Sequence, residues 1–159
     1  MDEKYSNRGN RIGYTIAMSS LGKAISIAAQ AHEGQSDKAG APYILHTLRV
    51  MMKMASDAER ITAVLHDIIE DTDWSLERLR REGFHTEILD ALDRLTKHDG
   101  EEYEEFIKRV KLNPLAVKVK SADLEDNLDV SRLKNVTEAD IKRLDKYRRA
   151  LLILVKRDG

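Results

Sequence analysis

The stretch from Leu65 to Asp71 constrains the fold more than any other part of the chain, because it places core-forming side chains beside potential metal ligands. On a helix, which turns about 100° per residue, the aliphatic side chains of this stretch gather on one half of the wheel. The other half carries His66, Asp67, Glu70 and Asp71. We therefore expect one helix from about Asp57 to Thr72, with its apolar half in a core. Its polar half faces either a reactive site or water, and the stretch alone favours neither.

Helical periodicity recurs along the chain and predicts an all-α domain. From Leu21 onward, apolar residues follow one another at spacings of three and four. Asn113–Pro114 is typical of an N-cap followed by proline at the first helical position, and Thr137–Asp140 resembles a capping box. Ser75 and Thr86 are expected to cap two shorter helices.

The length of the chain sets the expected domain organisation. A chain of 159 residues can bury a single core without a disulfide or a structural metal. Residues 1–20 are polar and show no clean period, so we expect an irregular N-terminal arm. Residues 21–159 are then one domain, whose amphipathic C-terminal helix packs either internally or across a homodimer.

Composition excludes several classes of protein. The absence of cysteine excludes disulfides and thiolate chemistry, and leaves only His, Asp and Glu as metal ligands. A net charge of -1, with both signs mixed along the chain, gives no basic footprint for nucleic acid. The longest strongly apolar run, Ala150 to Val155, is too short to span a membrane, and no signal sequence opens the chain. We therefore expect a cytoplasmic protein with no nucleic-acid or membrane partner.

Two further residues offer potential ligands on predicted helices. His46 lies at the edge of an apolar stripe, where a lone histidine is more often a hydrogen-bonded, semi-buried residue than a ligand. Asp123 falls on an inward face, where a carboxylate needs a cation, a metal or several donors. With His66 and Asp67 they make a set of two imidazoles and two carboxylates, which suits manganese, iron, cobalt or zinc.

Four motifs, in order along the chain, resemble the hydrolase domain of the RelA/SpoT family within the HD phosphohydrolase superfamily. They are Ala31-His32-Glu33-Gly34-Gln35, Pro42-Tyr43-Ile44-Leu45-His46, Leu65-His66-Asp67-Ile68-Ile69-Glu70-Asp71-Thr72, and Lys120-Ser121-Ala122-Asp123 followed by Asn127. Leu95-Thr96-Lys97 matches a stretch found between the last two motifs. The resemblance covers roughly Leu21 to Leu128 and is similar to the small alarmone hydrolases, which include the metazoan SpoT homologue. It implies an all-α HD-domain bundle with a metal site between helices.

The resemblance also implies a chemistry. It assigns one divalent metal, usually manganese, to His46, His66, Asp67 and Asp123. It assigns Glu70 and Asp71, one helical turn beyond His66 and Asp67, to activating or orienting water. The implied reaction is hydrolytic removal of the 3′-pyrophosphate of guanosine tetra- or pentaphosphate, which gives GDP or GTP plus pyrophosphate.

Substrate-binding residues are less constrained. Lys38 and Asn127 match family residues that face the nucleotide, and Lys120 and Arg49 are further candidates, although each could equally be a surface group. Asp37 stands where the family usually has arginine. The segment Leu124-Glu125-Asp126 stands where the family has Arg-Leu-His. Because both departures remove positive charge, an adenosine analogue or NADPH stays open as the substrate.

Three other functions remain open. An HD nucleotidase acting on a 5′-monophosphate would release phosphate instead of pyrophosphate. A non-catalytic nucleotide-binding regulator would keep the fold, but the Glu70–Asp71 pair speaks against it, since a pure binder does not need those acids. A helical interaction domain with an acidic surface would hold no metal.

Overall fold

The computed structural model describes residues 19–156, and this part of the chain forms nine α-helices and one 3-10 turn. The helices are α1 (Leu21–Ala31), α2 (Ile44–Met52), α3 (Asp57–Leu65), α4 (Ile68–Asp71), α5 (Leu76–Arg81), α6 (Thr86–Leu95), α7 (Tyr103–Lys111), α8 (Pro114–Leu128) and α9 (Glu138–Val155), with the 3-10 turn at Val130–Arg132. No β-strand occurs within the described range, where Ser36 and Pro42 form an isolated bridge. The predicted all-α class is confirmed.

The predicted N-terminal arm lies outside the described residues, except for its last two positions. Ser19 Oγ donates to the carbonyl of Gly83 at 2.9 Å, and the Ser20 side chain accepts from the N–H of Lys23 as the N-cap of α1. The start of α1 is thereby tied to the end of the α5 segment.

Helix α3 forms the centre of the bundle. Ala63, Val64 and Leu65 are fully buried, and α3 packs against α1, α2, α6 and α8. Burial of this apolar face supplies most of the local driving force for folding, because buried aliphatic side chains contribute roughly 1.5–3 kcal/mol each. The side chains that follow Leu65 are consequently held by a rigid element.

The prediction of one continuous helix from Asp57 to Thr72 is wrong. Helix α3 ends at Leu65 and α4 begins at Ile68, so His66 and Asp67 form the junction. In a continuous helix the carbonyl of Ala63 would accept from the N–H of Asp67. Here that carbonyl lies 2.7 Å from His66 Nδ1 and also accepts from the backbone N–H of His66. The imidazole therefore binds the carbonyl that would otherwise continue the helix, and the helix is interrupted at this point.

Helix caps agree with most of the sequence predictions. Asn113 caps α8 by accepting from the N–H of Ala116 at 3.0 Å, and Thr137 caps α9 within a capping box. The expected N-cap at Thr86 is wrong by one residue. His85 is the N-cap residue, because its carbonyl accepts the first hydrogen bond of the helix, from the N–H of Leu89. The His85 side chain makes no capping hydrogen bond.

Helix α9 packs within the described bundle, against α7 and α8. Ala150 and Leu154 are buried at this contact, whereas Ile141 and Leu152 are more than half exposed. No helix in the range 19–156 combines the length and apolarity needed to cross a membrane.

Candidate metal centre and substrate cavity

The four predicted ligands come together at one point between helices. His46 comes from α2, His66 and Asp67 from the junction of α3 and α4, and Asp123 from α8. One ligand atom from each residue lies within 4.8 Å of the others. His46 Nε2 is 3.1 Å and His66 Nε2 is 3.5 Å from Asp123 Oδ1, and His66 Nε2 is 2.9 Å from Asp67 Oδ2. These four side chains could hold one divalent metal.

Both imidazoles direct Nε2 at the carboxylates. His66 Nδ1 faces the carbonyl of Ala63, and His46 Nδ1 lies 2.7 Å from Asp126 Oδ2. Because these oxygens only accept, each Nδ1 carries a hydrogen, and when the ring is neutral its lone pair lies on Nε2. The Nε2 atom of His66 is buried and makes no hydrogen bond. Lone pairs that face carboxylate oxygens need a cation, and two nitrogens with two oxygens suit a divalent metal.

Electrostatics at the cluster agree with cation binding. Burial alone would lower the pKa of His66, but the Asp67 and Asp123 carboxylates outweigh it and raise that pKa well above its ordinary value. Burial opposes ionisation of Asp67, yet the facing His66 lowers the pKa of Asp67 to about 2. Although burial opposes ionisation, Lys120 and the two histidines likewise hold the pKa of Asp123 well below its ordinary value. Both acids therefore stay ionised near neutral pH, which is the form that binds a metal.

Tyr43 and Asp126 support the ligands, and sequence reasoning missed both. The Tyr43 hydroxyl donates to Asp67 Oδ2, and burial together with Asp67 raises the pKa of Tyr43, so the hydroxyl remains a donor. Asp126 accepts from His46 and Arg49. Asp126 lies three residues after Asp123 on α8, so the two side chains share one face of the helix. This spacing is the sequence signal that could have identified Asp126.

Glu70 and Asp71 both line the same cavity as the metal cluster. Glu70 Oε1 accepts from the backbone N–H of Lys97, in the loop 96–102, so the orientation of this carboxylate depends on that loop. Burial raises the pKa of Glu70, and burial followed by the Asp67 charge raises the pKa of Asp71. Carboxylates with raised pKa values beside a cluster of ligands are suited to accept protons.

Lys38, Arg49, Lys120 and Asn127 also line this cavity, which has a volume of about 480 Å³. Lys120 Nζ donates to Asp123 Oδ2 at 2.8 Å, and Asn127 Nδ2 donates to Asp123 Oδ1 at 2.7 Å. Arg49 is bound to Asp126 through Nε and Nη2. Lys120 and Asn127 are thus tied to Asp123 of the cluster, Arg49 is tied to Asp126 beside it, and Lys38 lies on the turn before α2.

The cavity carries further cations that sequence reasoning did not single out. They are Lys97, Arg132, Arg143 and Lys146, which bring the cationic side chains lining the cavity to seven. Arg143, Lys146 and Tyr147 are spaced three and four residues apart on α9, so they share one face. The aromatic rings of Tyr103, Phe106 and Tyr147 line the cavity as well. Such a surface suits a ligand with several phosphate groups and an aromatic base.

The two departures from the family pattern differ in their structural effect. Asp37 Oδ1 accepts from the N–H groups of Ala39 at 2.9 Å and Ala41 at 3.0 Å, so this carboxylate stabilises the turn that carries Lys38. Leu124 is 1% exposed and belongs to the core instead of the cavity. The loss of positive charge therefore affects the cavity at position 37 and not at position 124.

No family model matches the chain. The chain is 40% identical over 85 residues, half of its length, to a guanosine-3′,5′-bis(diphosphate) 3′-pyrophosphohydrolase of Borreliella burgdorferi, and covers 13% of that protein. It is 33% identical over 128 residues, 72% of its length, to a probable GTP pyrophosphokinase of Mycobacterium leprae, and covers 16% of that protein. The chain thus spans less than a fifth of the length of these curated relatives.

A solved structure shares the fold. It is a metazoan orthologue of SpoT, described as hydrolysing ppGpp, and it superposes with a TM-score of 0.68 at 21% identity. The match covers 86% of this chain and 85% of that one. The helical bundle described above therefore has the same arrangement as that protein.

Proposed function

The chain is a relative of the RelA/SpoT enzymes in sequence and shares the fold of a metazoan SpoT orthologue, and from this premise we propose that it is a metal-dependent hydrolase of guanosine 3′-pyrophosphates. The products would be GDP or GTP and pyrophosphate. The observation that carries the proposal is the meeting of His46, His66, Asp67 and Asp123 in a cavity that also holds Glu70 and Asp71.

His46, His66, Asp67 and Asp123 would hold a single divalent metal, most suitably manganese. When bound, such an ion supplies Lewis acidity to a phosphoryl oxygen and lowers the pKa of its water to about 7. The buried Nε2 of His66, which makes no hydrogen bond, supports this assignment.

Glu70 and Asp71 would handle the proton of the attacking water. Glu70 is held by the N–H of Lys97, and its raised pKa brings it nearer to the pH at which it accepts a proton efficiently. In the balanced reaction, the water oxygen joins phosphorus, the bond to the ribose 3′ oxygen breaks, and that oxygen leaves with a proton. Asp71, whose pKa is also raised, would orient the water.

Seven cationic side chains line the cavity beside six carboxylates, of which Asp67, Asp123, Glu70 and Asp71 have the proposed roles in metal binding and proton transfer. The remaining excess of positive charge favours a substrate with several phosphates over a 5′-monophosphate. Lys38, Lys120, Asn127 and Arg49 would contribute to substrate binding directly or by ordering the site.

A second candidate function follows from Asp37. Its carboxylate serves the turn, so no arginine at that position stacks on a guanine base. Hydrolysis of an adenosine 3′-pyrophosphate or of NADPH by the same groups is therefore the alternative within the enzyme class. It would use the same metal centre, but the adenosine 3′-pyrophosphate would release pyrophosphate, whereas NADPH would lose its 2′-phosphate as phosphate.

Product analysis tests the proposal. Purified protein with Mn²⁺ is given guanosine and adenosine 3′-pyrophosphates, NADPH and 5′-monophosphates in separate reactions, and pyrophosphate and phosphate are measured. We expect pyrophosphate from the guanosine compound. Release of phosphate alone, or activity on other nucleotides alone, would overturn the substrate. Substitution of His66 by Ala should abolish both Mn²⁺ binding and hydrolysis, whereas His85→Ala, at an exposed histidine, should preserve both.

We propose that residues 21–159 form a single catalytic domain that acts in the cytoplasm on a free nucleotide, with no nucleic-acid or membrane partner. A homodimer would use the exposed residues of α9, such as Ile141 and Leu152. Light scattering on the purified protein measures that assembly state.

A further inference from the structure

We propose that Asp126 is a positioning residue of the metal centre, which holds the ring of His46 so that Nε2 faces the other ligands. Asp126 Oδ2 lies 2.7 Å from His46 Nδ1, and both side chains are 5% exposed. This inference rests on the metal centre of the proposed function. The resembled family carries histidine at this position, so the carboxylate is a feature of this chain.

The hydrogen bond selects one form of the ring. A carboxylate accepts, so the His46 hydrogen lies on Nδ1 and the lone pair lies on Nε2. Nε2 is 3.1 Å from Asp123 Oδ1 and 3.8 Å from Asp67 Oδ2. A histidine ligand whose other nitrogen donates to a carboxylate is both oriented and made more basic.

Two arginines fix Asp126 in turn. Arg49 Nε donates to Oδ1 at 2.8 Å and Nη2 donates to Oδ2 at 2.9 Å, while Arg132 Nη2 donates to Oδ2 at 3.3 Å and to the backbone carbonyl at 3.0 Å. Although burial opposes ionisation, Arg49 and His46 lower the pKa of Asp126 to about 2. The buried charge is therefore balanced, and the carboxylate cannot rotate without breaking these bonds.

Three variants separate this role from a general effect of charge. Asp126→Ala removes the acceptor, Asp126→Asn keeps an acceptor oxygen without the charge, and Glu125→Ala removes an exposed carboxylate from the same turn of α8. The first readout is the ring form of His46 in the metal-free protein, from ¹⁵N NMR, with His46→Asn used to assign the signals. The second is the dissociation constant of Mn²⁺, with circular dichroism to confirm folding.

We expect the Nδ1–H form of His46 in the parent chain and in Glu125→Ala, and its loss in Asp126→Ala. The Mn²⁺ affinity should fall about 10- to 100-fold in Asp126→Ala and less in Asp126→Asn, because the amide oxygen still accepts. Retention of both the Nδ1–H form and the affinity in Asp126→Ala would overturn the inference.

If the parent chain binds no Mn²⁺, the proposed metal centre fails, and the NMR signals still decide whether Asp126 sets the ring of His46. If Asp126→Ala does not fold, Asp126→Asn decides: it must keep the Nδ1–H form, and loss of that form there contradicts the inference.

Discussion

Lys120, which is partly buried, and Asp123, which is buried, form an ion pair on one face of α8, with Lys120 Nζ 2.8 Å from Asp123 Oδ2. The other oxygen, Oδ1, faces His46 and His66. Burial would lower the pKa of Lys120, but Asp123 and Asp67 raise it, so the ammonium stays charged. One carboxylate is thus shared between a fixed cation and the cluster of proposed metal ligands.

Substitution of Lys120 by Met should separate metal binding from catalysis. We expect kcat/KM to fall about 100-fold, because a cation that lines the cavity is lost. Mn²⁺ affinity should be unchanged or higher, since Asp123 is then less neutralised. Titration calorimetry and initial rates measure the two effects. The control is Lys118→Met, at an exposed lysine of the same helix. Loss of Mn²⁺ binding in Lys120→Met would contradict the expected outcome.

The acid limb of the pH–rate profile should report Glu70. A general base acts in its ionised form, so activity falls as the pH drops through its pKa. Because burial raises that pKa, the limb should lie above the ordinary glutamate value of 4.5. Glu70→Gln should lower kcat about 100-fold or more and remove this limb. Profiles of kcat/KM between about pH 4 and pH 8 measure it. Glu77→Gln, at an exposed glutamate that pairs with Arg80, serves as the control. An acid limb that is unchanged in Glu70→Gln would exclude Glu70 as the base.

The turn before α2 should respond to the acceptor at position 37 more than to its charge. Asp37→Ala removes two hydrogen bonds that order the turn carrying Lys38, each contributing about 1 kcal/mol. We expect KM to rise about tenfold with kcat nearly unchanged. Asp37→Asn keeps the acceptor oxygen and should stay within about threefold of the parent KM. Steady-state kinetics distinguish the two, and equal KM values for both variants would assign the effect to charge.

The Glu101–Arg109 pair should stabilise the loop 96–102 in a pH-dependent way. Arg109 donates to both Glu101 oxygens and to the carbonyls of Asp93 and Thr96. Glu101→Gln should lower the free energy of unfolding by about 1–3 kcal/mol near neutral pH. Arg109 lowers the pKa of Glu101 to about 2, below the ordinary 4.5. The stabilisation is therefore complete above the unfolded-state value and is lost as the pH falls towards about 2.

Urea unfolding near neutral pH and at about pH 3 measures this effect. The difference between Glu101→Gln and the parent should shrink at the lower pH. The adjacent, exposed Glu102→Gln should show no difference at either pH. A difference for Glu101→Gln that persisted or grew at low pH would contradict the assignment.

Sequence reasoning succeeded where residue type and spacing carry the information. The caps at Asn113 and Thr137 follow from local chemistry, and the geometry brings His46, His66, Asp67 and Asp123 together as the motifs led us to expect. Their roles in binding and catalysis stay predictions.

What sequence reasoning missed depends on contacts between distant residues. The bond from His46 to Asp126 spans 80 positions, and that from Tyr43 to Asp67 spans 24, so no helical period reports them. The junction between α3 and α4 depends on the hydrogen bond from His66 Nδ1 to the carbonyl of Ala63. A helical wheel shows which residues share a face, and it does not show such side-chain-to-backbone bonds.

The residues of the site fall into two groups that are carried by different parts of the fold. The proposed ligands lie on α2, α8 and the end of α3. The opposite faces of these helices form the core, so substitutions on those faces disturb folding. Several of the cations lie on the turn at 34–43, the loop 96–102 and α9, which contribute fewer buried residues. In the proposed function, substitutions at this periphery would change nucleotide preference without disturbing the helices that carry the proposed metal ligands.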